Sequence, residues 1–270
     1  MLNKTETLVI SGGGIKGVAA LGAISILEKK LNFKKIVNFI GCSSGSFICF
    51  LLSVSFLSKN IEKFFKKLSL SSFITFSKTK PSNFLSSFGI IDTTLLELIV
   101  NKVLEKKFHM KNVSFAELKK LTGKKFCCIA TDLNTSKLVI FDYKRTPNVY
   151  VKDAIMASCS IPLLFKPVKI DNMFCVDGGI KENFPFFITK NIKHTIGIHL
   201  YGPLIKNPKT IFQFLKLLSQ NMIRKTYLDE IEMRTIKICC NCNFIENKIS
   251  EKLFSYLWTL GEKTTVEFFR

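Results

Sequence analysis

Along the chain, short solid apolar runs alternate with longer stretches of helical periodicity. Thr7 to Ser11 is an apolar run closed by glycines and reads as a buried strand, with a helix following from about Lys16 to Lys30. Val37 to Gly41 predicts a second strand, and another helix begins near Ser44. The polar, Phe-dotted stretch from Ser69 to Gly89, with Pro81 inside it, reads as a loop or lid. Asp92 and Ser114 stand at capping positions of two helices, one running to about Lys107 and one ending at Gly123. Lys125 to Thr131 and Leu138 to Tyr143 predict paired strands around an Asn-Thr-Ser turn. A short helix near Ala154 comes next, then strands at Phe165 to Ile170, Met173 to Val176 and Thr195 to Leu200. The portion from 201 to 270 is mainly helical, with one strand near Ile236 to Cys240. Alternation of this kind, without repeats or clear linkers, predicts a single α/β domain over residues 1–270.

Composition narrows the class. With 47% hydrophobic residues in 270, the chain has ample material for a core, which excludes intrinsic disorder. The net charge of +20 points toward an anionic partner. Arginine, however, occurs only at 145, 224, 234 and 270, and the lysine, asparagine and phenylalanine enrichment matches the bias of an AT-rich genome. The charge alone therefore singles out no partner. No nucleic-acid-binding motif accompanies the paired lysines, so no nucleic-acid partner is expected.

The nine cysteines are an odd number, and several lie in apolar runs. The N-terminus shows no secretory h-region, so the expected setting is reducing and intracellular. Ile36 to Leu57 is as long as a bilayer span, but Gly41 to Ser46 interrupts it. A strand, a tight turn and a buried helix account for the same residues.

Two glycine motifs carry candidate chemistry. Gly12-Gly13-Gly14-Ile15-Lys16-Gly17 follows the first strand and satisfies G-x-G-x-x-G. No carboxylate stands about 20 positions on, as a dinucleotide site requires, and Lys16 lacks the following Ser or Thr of a phosphate-binding P-loop. What remains is a loop opening a helix, whose unpaired N–H groups suit an anion. Gly41-Cys42-Ser43-Ser44-Gly45 is a G-x-S-x-G elbow between strand and helix, a turn that exposes the Ser43 hydroxyl at a helix N-terminus. The order Ser43, Asp177, His194 matches the triad order of α/β-hydrolases, yet this elbow follows only one strand. His194 and His199 read as structural.

Val176-Asp177-Gly178-Gly179 is a third strand end followed by glycines. The three motifs together resemble the patatin-like phospholipase family, whose signature is a glycine loop, a G-x-S-x-G elbow and a D-G-G/A turn in this order. Ala157 to Pro162, Phe165, Pro167, the Asn183/Pro185 pair, Ala130-Thr131-Asp132 and Gly89 to Leu98 are also similar to family segments. The resemblance implies a three-layer α/β/α sandwich around a mostly parallel sheet, with a catalytic region over 7–200. It implies Ser43 as nucleophile, Asp177 as its base, a dyad without histidine, and an oxyanion hole at Gly12, Gly13 and Gly14. Gly17, Gly41, Gly45, Gly178 and Gly179 complete the motifs. The implied substrate is a phospholipid or other acyl lipid, cleaved at its ester with peripheral contact to a membrane surface and no metal or organic cofactor. A non-catalytic lipid-binding or scaffold protein keeping the same fold is the alternative.

Other candidates fall away on spacing. Asp132, Asn134 and Ser136 imitate a calcium loop, but Lys137 and Tyr143 occupy its glycine and glutamate positions. Cys239 and Cys242 form a C-x-x-C without a second pair and read as buried thiols. Lys16, where the family also has Arg, reads as packing or capping the helix start.

Overall fold

The first strand, β1 (Thr7–Ile10), is buried at all four positions, and the sheet is laid out on both its sides. The computed structural model describes residues 2, 4–67, 70–78, 84–203, 207–208, 214, 217, 229–242 and 249–270. β2 (Asn38–Cys42) and β9 (Thr195–Tyr201) flank β1, both parallel to it. β10 (Thr235–Cys239) extends the sheet beyond β9, and β4 (Lys125–Asp132) beyond β2, again in parallel. Three antiparallel strands complete the sheet: β5 (Lys137–Asp142) and β8 (Met173–Asp177) pair with β4, and β7 (Val168–Ile170) with β8. A separate two-stranded sheet joins β3 (Gly89–Ile91) to β6 (Leu163–Phe165).

Alternation along the strands sorts the core into two faces. Leu8, Ile10, Phe39, Phe126 and Cys128 belong to the large cluster under α1 (Gly17–Lys30), α2 (Ser44–Ser53), α6 (Thr94–Phe108) and α7 (Phe115–Thr122). α8 (Val151–Ser158) and the C-terminal α10 (Glu251–Phe268) pack into the same cluster. Val9, Ile40 and Cys127 face the other way, against Phe184, Phe186 at the start of a short 3-10 turn, and Ile231 in α9 (Asp229–Glu232). The α/β fold expected from the sequence is the fold observed.

Local signals also held. Ser114 closes a capping box with Glu117, whose carboxyl is held below its usual range by the Ser114 backbone N–H and then its hydroxyl. Gly123 ends α7 in the left-handed conformation. Asp92 accepts the Thr94 N–H at 3.0 Å, although the residue flanking α6 is Thr93.

Three expectations change. The stretch expected as a loop or lid holds α4 (Leu70–Phe76), α5 (Phe84–Ser87) and β3, while 69 and 79–83 lie outside the described residues. Phe73 and Phe165 pack ring to ring and give α4 a surface to fold on. The single strand expected over Phe165 to Ile170 is two. Pro167 has no N–H for a ladder, so Phe165 ends β6 beside β3 while Val168 begins β7 beside β8. The thiols of the C-x-x-C are not uniformly buried, since Cys239 is exposed and Cys242 half-buried. Of the C-terminal portion, β10 and α10 appear near where the pattern placed them, and most of 204–228 lies outside the described residues. Among those described, no helix is long and apolar enough to cross a membrane.

Candidate active site

Strand β4 assembles the site by pairing two strands along one edge. Its first half pairs in parallel with β2, ending with Cys42 opposite Ile129. Its second half pairs antiparallel with β8, ending with Asp177 opposite Ala130. The two strands therefore meet with their C-terminal ends facing, and Ser43 and Asp177 lie at the junction.

At Ser43 the chain turns from β2 into α2 with φ 51° and ψ −128°, outside the regions an L-residue prefers. The flanking glycines are required by close approach. A Cβ at Gly41 would lie 2.5 Å from the Gly45 backbone, and one at Gly45 would lie 2.5 Å from the carbonyl oxygens of Ile10 and Ser11. The turn is held from several sides. The Ser43 N–H donates to Ser158 Oγ at 2.9 Å, and the Ser43 carbonyl accepts from the Ser46 N–H at 2.8 Å and the Ser46 hydroxyl at 2.6 Å.

Asp177 is buried, and its backbone is fixed by its N–H on Ser160 O at 2.8 Å and by the Thr131 hydroxyl on its carbonyl at 3.2 Å. Its carboxyl accepts the Gly179 N–H at 2.7 Å and the Cys42 thiol at 3.9 Å. Burial pushes this carboxyl up to about 6, against the neighbouring Ser43 hydroxyl, Gly179 N–H and Cys42 thiol, which favour the carboxylate. Gly178 and Gly179 form the 3-10 turn that delivers the Gly179 N–H.

The glycine loop lies against Ser43: a Cβ on Gly12 would come 3.1 Å from Ser43 Cβ. Ser11 is fully buried and accepts the Leu200 N–H at 2.8 Å while donating to Gly12 O. Asn183 clasps Gly12 from the other side, accepting its N–H at 3.0 Å and donating Nδ2–H to its carbonyl at 3.2 Å. Gly12's amide is thus committed to Asn183. Gly13 and Gly14 open the 3-10 turn that leads to Gly17 and α1, and first-turn amides have no partner inside their own helix. Lys16 is buried along its stem and donates Nζ–H to Tyr201 O at 3.5 Å, consistent with the packing expected for it.

The histidines stand elsewhere. His194 precedes the N-terminal end of β9, about four strand positions or ~13 Å from the level of Ile198 and Ile10, where the site begins. His199 stacks its ring on Phe184 at 4.8 Å between centroids. Asp132 closes the β4–β5 turn by accepting the Thr135 hydroxyl at 2.6 Å and the N–H groups of Phe174 and Asn134. These bonds, that from Thr135 first, hold its carboxyl below the usual range. Motif reasoning brought Ser43, Asp177 and the glycines together. It gave no role to Ser158, Cys42 or Asn183. Ser158 and Asn183 lie inside segments that looked like the family's, which was the signal available.

A model of the family described as patatin-like phospholipase matches residues 8–190. The chain belongs to that family. The resemblance carried by the three motifs therefore stands. Over 185 residues this patatin-like chain is 34% identical to the probable lipid hydrolase 463L of Invertebrate iridescent virus 6, covering 68% of the chain and 62% of the viral protein. Its structure is similar to that of VipD from Legionella pneumophila, with TM-score 0.67 and 16% identity over 98% of this chain and 66% of VipD. It is also similar to ExoU of Pseudomonas aeruginosa in the ExoU-SpcU complex, with TM-score 0.63 and 19% identity over 98% of this chain and 51% of that one. At such identities the two structures speak for the fold. The patatin-like chain spans about half to two-thirds of the length of these three proteins.

Proposed function

We propose that the protein is a lipid acyl hydrolase that cleaves fatty-acyl esters through Ser43, with Asp177 as base. The observation that carries this reading is the meeting of the Ser43 turn and a buried Asp177 carboxyl, raised to about 6, at the head-to-head ends of β2 and β8. At its reference value near 3.9, an aspartate is too weak a base for a serine hydroxyl. Raised toward neutrality it is a better proton acceptor while still ionised at pH 7.

Ser43 Oγ attacks the ester carbonyl carbon as its proton passes to Asp177. The oxyanion so formed is held by the Gly13 and Gly14 amides, each such donor being worth ~3–4 kcal/mol in comparable enzymes. Collapse breaks the C–O bond to the alcohol, which leaves with the proton from Asp177, and the acyl group stays on Ser43. Water then attacks the acyl ester, giving its proton to Asp177, and the fatty acid departs as Ser43 Oγ recovers a proton. Asn183 acts by positioning the loop. No step requires a metal or an organic cofactor.

The test is lipid mass spectrometry after incubation of purified protein with mixed liposomes, alongside an active-site serine probe. Free fatty acid and a probe adduct are expected from the wild type, and neither from a folded Ser43→Ala variant. Equal hydrolysis by Ser43→Ala would overturn the proposal. A wild type that binds lipid yet forms no adduct and releases no fatty acid would assign the fold to binding instead.

A further inference from the structure

Asn183 turns two different atoms toward the candidate site. It sits in the turn after β8, where its neighbours are fixed. The Glu182 N–H donates to Gly178 O at 2.8 Å, the Phe184 N–H donates to the Glu182 carboxylate at 2.8 Å, and the Phe184 ring is buried against the second face of the sheet. The backbone carbonyl of Asn183 takes the Gly12 N–H at 3.0 Å, and its side-chain amide meets the Gly12 carbonyl at 3.2 Å. A carbonyl oxygen only accepts, so the atom facing it is Nδ2 and the amide has a single orientation. Oδ1 is thereby turned away from that bond.

Oδ1 looks between the two glycine motifs. A Cβ on Gly12 would stand 2.5 Å from Oδ1 and 3.1 Å from Ser43 Cβ, and a Cβ on Gly179 would stand 3.1 Å from Oδ1 and 3.0 Å from Asp177 Oδ1. One oxygen is thus faced by both glycines, with Ser43 just beyond the first and the Asp177 carboxyl just beyond the second. Glycine at 12 and at 179 keeps side chains out of the space in front of it. Asn183 is half-buried, and its Oδ1 accepts no hydrogen bond from the described residues. Holding the glycine loop takes only the backbone carbonyl and Nδ2. Oδ1 is a placed acceptor that the fold does not use.

We propose that Asn183 Oδ1 orients the water that releases the acyl group from Ser43, which makes Asn183 a catalytic residue of deacylation as well as the holder of the loop. The proposal rests on the hydrolase reading. Water attacks through a lone pair, and that lone pair is aimed at a carbonyl carbon when both protons are held by acceptors. Asp177 is one acceptor and takes a proton in the step. Asn183 Oδ1 is the second and takes none. Both oxygens stand at hydrogen-bond range from one point beside Gly179, so one water there reaches both. The water oxygen bonds the acyl carbon, one proton passes to Asp177, and the other stays on the oxygen, hydrogen-bonded to Oδ1. The bond from the acyl carbon to Ser43 Oγ then breaks as Oγ takes the proton back from Asp177, leaving the fatty acid and free Ser43. Acylation has no such need, because its attacking atom is Ser43 Oγ, whose direction is set by the turn at Ser43.

The experiment is pre-steady-state hydrolysis of a short-chain nitrophenyl ester by the full chain, with intact-protein mass spectrometry on acid-quenched samples and methanol as a competing acceptor. Asn183→Ala is expected to keep acylation within about threefold and to slow deacylation by about ten- to a hundredfold. kcat and KM should fall together while kcat/KM holds, and the acyl mass should accumulate on the variant during turnover. Methanol has one O–H, which goes to Asp177, and makes no use of Oδ1. The ratio of methyl ester to free acid should therefore rise by the factor that deacylation loses. Asn183→Ser, whose shorter side chain withdraws the oxygen, should give the same pattern and replaces Asn183→Ala if that variant does not fold. A displaced glycine loop would instead slow both steps, since an oxyanion forms in each, and would leave the product ratio unchanged. That result, or a turning-over wild type whose variants accumulate no acyl-enzyme, would overturn this proposal alone. A wild type that forms neither nitrophenol nor acyl-enzyme would sink the hydrolase reading and this proposal with it.

Discussion

Cys42 and Asp177 end two strands that meet head to head on one edge of β4, facing the adjacent residues Ile129 and Ala130. The carboxyl of Asp177 is thereby buried between the Cys42 thiol and the Ser43 hydroxyl, and that burial raises it to about 6. A base made stronger by desolvation lowers the stability of the fold wherever it is charged.

The first prediction separates the two effects. Asp177→Asn should lower turnover by about four orders of magnitude, through loss of the proton acceptor. The same variant should be the more stable protein at pH 8. The folded carboxyl titrates near 6 and an unfolded one near 3.8, so the penalty on the carboxylate is fully present above the folded value and vanishes below the unfolded one. Thermal melting at pH 8 should show a gain of up to ~3 kcal/mol, and melting near pH 3.5 almost none. A variant less stable than the wild type at pH 8 would contradict the buried-carboxylate account.

The second concerns the acid limb of activity. With Asp177 as base, kcat/KM on a soluble ester should rise with pH through about 6 and then level off. The Cys42 thiol favours the carboxylate, so Cys42→Ala should move this limb to higher pH by a few tenths of a unit, and Cys42→Ser, with its stronger donor, to lower pH. Limbs that coincide in all three proteins would remove Cys42 from the tuning of Asp177.

A third prediction distinguishes the dyad from a triad. His194→Ala and His199→Ala should each retain activity within about threefold, the first because of its place at the opposite end of β9, the second because its ring is stacked on Phe184. A folded His194→Ala protein as inactive as Ser43→Ala would end the dyad proposal.

The fourth lies in the scaffold. α1 and α10 cross at Gly22 and Gly261, where a Cβ would stand 2.1 Å from Trp258 O and 1.9 Å from Ala19 O. Backbone atoms cannot move aside as side chains do, so Gly22→Ala and Gly261→Ala should each destabilise by about 2–4 kcal/mol in denaturant titration. The double variant should lose less than the sum, because one separation of the helices relieves both clashes. Additive losses would mean that the two sites yield independently.

The sequence by itself determined most of the parallel strands and flanking helices, the caps at Ser114 and Gly123, and the three motifs, because each is a local pattern. Strands show as apolar runs, helices as their period, and a sharp turn as glycines on both sides of Ser43. Family membership followed from the order of those motifs. Tertiary structure decided what distant segments do to one another. The split of Phe165 to Ile170 depends on two different partner strands, and the helix at 70–76 packs Phe73 on Phe165. The rise of the Asp177 carboxyl depends on burial by β2, β4 and the turn at Gly179, none of which is near it in the chain except the last. Gly12 as a held link follows from Asn183, which lies far from it in the chain. Desolvation and hydrogen-bond competition are properties of the packed neighbourhood, and a linear pattern carries no record of which neighbours arrive.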